Sequence, residues 1–264
     1  MAIQLITRGP KVGVCNVCGT HGPLTEDHTP PKGCSKVKQV ELQHLSSLLS
    51  QEANPPRGRI SQNGVKYRTL CAHCNNGLLG AKYDPPFIDF VNSIHSCLTT
   101  SLVLPDVVNV PCQPQAIMRS LIGHVSAQGV DRYLKGPLTN MVREYMFDES
   151  CDLPEGLNIY VWTYPYRPHI MVRDAAYLDI PSGKSVAFWL LKFFPVAFAL
   201  AWGEPAGWNQ PVHRLSDWRG LPFAQVVDLQ LRLRPCVPPA WPEAPTTESA
   251  ILYGQEAIHA VPYG

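Results

Sequence analysis

The sequence is poor in charge. Only 16% of its 264 residues are Asp, Glu, Lys or Arg, and the net charge is +1 at pH 7. No global basic field therefore announces a nucleic-acid binder. Long apolar runs are lacking too. The most apolar stretch, residues 186–202, is broken by Lys192 and Pro195, whereas a membrane span needs about 20 apolar residues. That stretch predicts a pair of buried strands instead. The opening segment MAIQLITRGPKVG lacks the apolar core of a signal peptide, so the expectation is a soluble, cytoplasmic chain with no membrane partner. Uninterrupted helical pattern is missing as well: 26 prolines enforce many breaks and exclude long bundles and coiled coils.

What is present suffices for a globular fold. Hydrophobic residues make up 45% of the chain, and the length suits one large domain or a small one joined to a larger one. Charge is unevenly spread. Residues 1–90 hold 10 Lys/Arg against 6 Asp/Glu, a net +4, and residues 91–264 hold 12 against 15, a net −3. A basic head on an acidic body suits a head that touches phosphate.

Three zones follow from pattern, giving an α+β fold with a head over 1–90 and a larger α+β body of helices and antiparallel strands over 91–264. The head is rich in Gly, Pro, Cys and His. Residues 91–150 read as helical, with Ile117, Leu121 and Val125 four apart and Leu138, Met141, Val142 and Tyr145 similarly spaced. Residues 158–163, 169–173, 186–194, 196–202 and 226–233 read as strands, and the five-proline tail 235–245 as extended surface chain. Within the head, residues 35–51 carry a loose helical pattern. Residues 52–64 hold turn formers and two arginines and are expected to be mobile, and 65–70 alternates as a strand.

The nine cysteines are an odd number, and four of them form two Cys-x-x-Cys pairs: Cys15 with Cys18, and Cys71 with Cys74. Two intervening residues let both thiolates of a tight turn face one ion. Two such turns make a closed tetrahedral site suited to structural zinc. The 52 residues between Cys18 and Cys71 exceed a common zinc-ribbon gap, so something is inserted there. His73 is a possible substitute ligand, although four cysteines complete the set.

Between the pairs lies Glu26-Asp27-His28-Thr29-Pro30-Pro31-Lys32. An acid beside a histidine offers a hard oxygen for a divalent cation and a base that titrates near neutrality. The ordered set Cys-x-x-Cys, Glu-Asp-His-x-Pro-Pro-Lys, Cys-x-x-Cys-Asn-Asn resembles the HNH endonucleases, in their zinc-containing ββα-metal (treble-clef) branch, over residues 13–84. The resemblance implies roles. His28 is the catalytic base that activates water. Asp27 and Asn75 hold a catalytic Mg2+ or Mn2+, and Cys15, Cys18, Cys71 and Cys74 hold the structural Zn2+. Lys32, Arg57, Arg59, Arg68 and Lys82 are candidates for the nucleic-acid backbone, or else solvated surface charges. The implied substrate is DNA, double-stranded in preference to RNA. The implied context is an effector of anti-phage defence or of a mobile element, gated by a protein partner or self-assembly. Asn75 stands where many members have His, Asn63 and Asn76 both compete for the middle Asn, and Glu26 competes with Asp27 for the inward position. The alternative is a zinc-stabilised nucleic-acid- or protein-binding module without catalysis.

Other residues read as structural. His44, His95, His124, His169, His213 and His259 share no ligand spacing, the five remaining cysteines read as small buried hydrophobes, and Asp84 reads as a cap or turn residue. Residues 183–185, Gly-Lys-Ser, lack the upstream glycine of a phosphate loop.

Overall fold

The computed structural model describes residues 5–35, 37–49, 58–133 and 138–263. The chain opens with β1 (Val12–Val14) and β2 (His21–His28), crosses to β3 (Gln39–His44) and the short α1 (Leu45–Leu49), and returns through β4 (Arg59–Gln62) to β5 (Lys66–Cys71). A wide-turn π-helix, His73–Tyr83, runs straight into α2 (Asp84–Thr100). Next come β6 (Val107–Cys112), α3 (Pro114–Ala127) and α4 (Thr139–Phe147). The strand-rich half holds β7 (Leu157–Thr163), β8 (His169–Asp179), β9 (Ser185–Phe193), β10 (Val196–Trp202), β11 (His213–Arg214), β12 (Val227–Arg232), β13 (Ser249–Leu252) and β14 (Ile258–Pro262).

These strands form three sheets, and every ladder between named strands is antiparallel. One sheet is β1-β2-β5, one is β6-β12, and a nine-stranded sheet runs β11-β7-β10-β9-β8-β14-β3-β4, with β13 also on β8. The helical pattern of Ile117, Leu121 and Val125 lies in α3, and the apolar run 186–202 is the hairpin β9–β10, as its composition predicts. That run is continuous because both faces are covered. Val196, Phe198 and Leu200 join the core under the helices, while Ala197, Ala199 and Ala201 face a second, aromatic layer around Tyr160, Trp162 and Phe188.

Three expectations need correction. Residues 39–44, inside the segment 35–51, are a strand and not a helix: Val40, Leu42 and His44 alternate inward along β3, because β14 and β4 offer it a partner on each side. Among the described residues of that segment only α1 is helical. Residues 59–62 are not a mobile loop but the strand β4. The proline tail is not merely draped on the surface. Lys192, near the end of β9 with no exposure, needs an anion, and Glu243 supplies it at 2.6 Å. Trp241 of the same tail packs its ring on Trp162 and Trp208. Backbone pairing links distant parts of the chain, since β3 joins β14.

His169, 3% exposed at the start of β8, sits beside Phe193 and next to the ladder position of His259. Burial, with a smaller push from His259, holds its pKa down to about 4, against an ordinary 6.5. The native ring is therefore neutral where the unfolded chain takes up a proton. Stability falls as pH drops from about 6.5 to 4, by about 3 kcal/mol from this group. His169→Phe, which cannot protonate, should remove that part of the loss in urea titrations at pH 7 and pH 4. An equal loss in variant and wild type would exclude the assignment.

Candidate functional site

The two Cys-x-x-Cys turns meet. The four sulfurs of Cys15, Cys18, Cys71 and Cys74 all lie within 4.8 Å of one another, and those of Cys18 and Cys71 are 3.7 Å apart. At a Zn–S distance of about 2.3 Å, tetrahedral sulfurs stand about 3.8 Å apart, so the cluster has the size and softness for a metal such as zinc. The local chain explains the geometry. Gly19 N–H donates to Cys15 O, and Thr20 N–H donates to the Cys18 sulfur at 3.4 Å. Gly19 has φ +74, and a Cβ there would strike the Tyr133 ring at 2.3 Å, so only glycine fits. The hydrogen bond between Cys15 and Cys74 pushes the Cys15 thiol down and the Cys74 thiol up, so the two sulfurs share a proton that a bound metal would displace. His73 is exposed and stacks on Phe147, leaving the four-cysteine set to act alone.

The cluster is docked on α3. Asn16, between the first two cysteines, donates from Nδ2 to Ser126 O (3.0 Å) and Gly129 O (2.8 Å), and Thr69 Oγ1 donates to Ala127 O. These bonds satisfy carbonyls that the end of α3 leaves open.

β2 carries the acid–histidine pair. A register shift between Thr25 and Glu26, opposite β5, sets their directions. Glu26 turns outward to Arg8, Lys66 and Arg68 at 3.3–3.4 Å. Burial opposes its charge, but Lys66 and Arg68 outweigh that and hold its carboxyl below the ordinary value. Asp27 is the inward acid, 3% exposed. Its Oδ2 accepts from His124 Nδ1 at 2.9 Å and from Thr29 Oγ1 at 3.3 Å. His124 Nε2 in turn faces Asp84 Oδ1 at 3.0 Å, where Ser120 Oγ also donates at 2.8 Å. Burial disfavours the imidazolium, yet the two carboxylates outweigh it and raise His124 to about 10. Both ring nitrogens are then donors. His28 is half-buried; burial, with the nearby Lys66 and Lys32, outweighs the opposing pull of Asp27 and Glu26, and the lowered pKa favours the neutral ring.

Asn75 opens the wide-turn helix. Its Nδ2 donates to Thr25 Oγ1 (2.9 Å) and to Glu26 O (3.0 Å), clamping the helix start to the peptide that enters Asp27. Asp27 Oδ1 and Asn75 Oδ1 make no hydrogen bond among the described residues. These are one carboxylate and one amide oxygen, the donor type that hard cations take.

The five basic candidates separate. Lys32 is exposed and lines a cleft beside His28. Arg68 is committed to Glu26, Lys82 to Glu149 at 2.5 Å, and Arg59 to Thr7. Arg57 lies outside the described residues. Of the two asparagines left open, Asn63 forms the turn before Gly64 with φ 59, and Asn76 is exposed on the helix. His124, read from sequence as a satisfied histidine, is the partner of Asp27, and Asp84, read as a cap or turn residue, is the partner of His124 on the far side of its ring. The available signal was their setting: α3 is buried at every position, and a polar residue in such a helix must be paired.

No protein-family model, curated protein or solved structure matches this chain. Among the described residues, no helix is long and apolar enough to cross a membrane.

Cys71→Ser should reduce bound zinc below one equivalent per chain and lower the melting temperature, since structural zinc contributes about 10–16 kcal/mol in small zinc modules. Unchanged zinc content and an unchanged melting curve would remove the four-cysteine centre.

Proposed function

We propose that this chain is a metal-dependent endonuclease of the HNH type, with a zinc-held ββα-metal head that hydrolyses DNA phosphodiester bonds. The observation that carries the reading is the clamp of Asn75 onto the peptide between Glu26 and Asp27, beside His28 and the four-cysteine cluster. The β2–β5 pair leading directly into the helix at His73 supports it.

In this reading the cluster fixes the hairpin and the helix start. Asp27 and Asn75 hold Mg2+ or Mn2+, which supplies Lewis acidity at the scissile phosphate when bound. His28, kept neutral by its surroundings, takes the proton of the attacking water. His124 grips one oxygen of Asp27 and leaves the other for the ion, so it is a positioning residue. The same contact supports the second reading, a zinc-stabilised binding module without catalysis, because a carboxylate already paired with an imidazolium offers less charge to a cation.

Supercoiled plasmid without added divalent ion, with Mg2+ or with Mn2+ separates the two. Wild type should cut only with added ion. His28→Ala should lose about 100-fold or more and Asp27→Asn all metal-dependent cutting, both with zinc content intact. His124→Gln should raise the Mg2+ concentration for half-maximal rate by about 10- to 100-fold. Cutting by His28→Ala at the wild-type rate would refute the mechanism, and no cutting under any condition would favour the binding module.

A further inference from the structure

The chain crosses between two sheets twice near His28. After β2 it passes through residues 29–38 to reach β3, and after β4 it turns at Asn63-Gly64 to re-enter the small sheet as β5. Asn63 N–H donates to Lys38 O, closing the two crossings on each other. Between them and the start of β8 lies a cleft of about 230 Å3.

Its lining is one-sided in charge. Lys32 and Lys38 line it, Ser35 and Asn63 add hydrogen-bonding groups, and no Asp or Glu is among the described residues that line it. His28 forms one wall. His169, from the large sheet, is 3% exposed and has a ring nitrogen, Nδ1, with no hydrogen-bond partner. Buried polar groups are ordinarily satisfied. A cleft with two cations, no carboxylate and an unsatisfied histidine has the chemistry of an anion site with polar edges to recognise. Its volume lies just under the range of about 300–1,000 Å3 for small-molecule pockets. A duplex, whose major groove alone is about 12 Å across, cannot enter.

We infer that this cleft is a subsite for one unpaired nucleotide of a nucleic-acid strand, with the phosphate held by Lys32 and Lys38 and the nucleotide reaching His169. It rests on the nuclease reading for the role of His28, because a nucleotide seated here brings its phosphodiester to that side chain. The substrate class is then a strand unpaired at the cut, as in a single strand, a flap or a flipped nucleotide, and intact duplex is a poor ligand of the cleft.

The test is fluorescence anisotropy with a labelled 12-nucleotide single strand and the corresponding blunt duplex, without added divalent ion, over a range of salt. The single strand should bind more tightly than the duplex. Lys38→Ala should weaken it about 5- to 10-fold and reduce the slope of log affinity against log salt by about 0.7, the loss of one phosphate contact. His169→Phe should weaken it with no change in slope, which a general surface attraction would not produce. Lys184→Ala, at a remote exposed turn, should bind as wild type. Equal binding by wild type, Lys38→Ala and His169→Phe overturns the subsite, as does duplex binding at least as tight as that of the single strand. Plasmid cutting combined with unaffected binding in these variants would remove the subsite and leave the nuclease standing. Single-strand binding with the expected dependences but no cutting of that single strand with added Mg2+ or Mn2+ would do the reverse.

Discussion

A helix with no face toward solvent must find a partner for every polar group it carries, and α3 is such a helix. Gln115, Arg119, Ser120 and His124 sit on it among apolar neighbours. Arg119 is satisfied by carbonyls at the end of α4 and by Gln115, and Ser120 and His124 by Asp84 and Asp27. The last turn gives its carbonyls to Asn16, Thr69 and Arg173. Those partners come from the cysteine turn, both strands of the acid–histidine hairpin, α2, α4 and the large sheet. One buried helix thereby sets where the metal cluster, Asp27 and β8 stand relative to one another, and a shift of α3 would leave buried charge unpaired in several places at once.

Much of this was legible in the residues, for identifiable reasons. The two Cys-x-x-Cys turns announce themselves because thiolate geometry demands local spacing, and their sulfurs do come together. The hairpin β9–β10 is evident because an apolar run interrupted at Pro195 suits little else. The helical reading of 35–51 failed because Val37, Val40, Leu45 and Leu48 imitate helical spacing, while the decisive alternation of Val40, Leu42 and His44 gains meaning only beside β14, over two hundred residues away. The proline tail misled for a similar reason: the demand that anchors it is made by Lys192, on a distant strand.

The acid–histidine pair shows both sides of this limit. Adjacent residues on a strand face opposite ways. Here Asp27 Oδ2 turns in to His124 on α3, and His28 lines the cleft. Adjacency in sequence marked the pair, but only the fold supplies the partners of each side chain, His124 for Asp27 and the cleft for His28. The oxygens that remain uncommitted on Asp27 and Asn75 belong to residues the sequence singles out, whereas the histidine orienting Asp27 arrives from an element that carries no motif.

The ladder between β3 and β14 bears on how the chain is made. During synthesis β3 emerges early, with the side that will meet β14 bare until some two hundred further residues have followed. An unpaired strand edge with buried-type side chains is a hazard in the growing chain. The cysteine pairs on either side of this segment offer a remedy: once Cys71 and Cys74 are out, a bound ion would cinch the intervening loop and hold β3 and β4 close to the small sheet. A cluster so loaded would serve as an early fastener, keeping the insert in place while its eventual neighbour in the large sheet is still unmade.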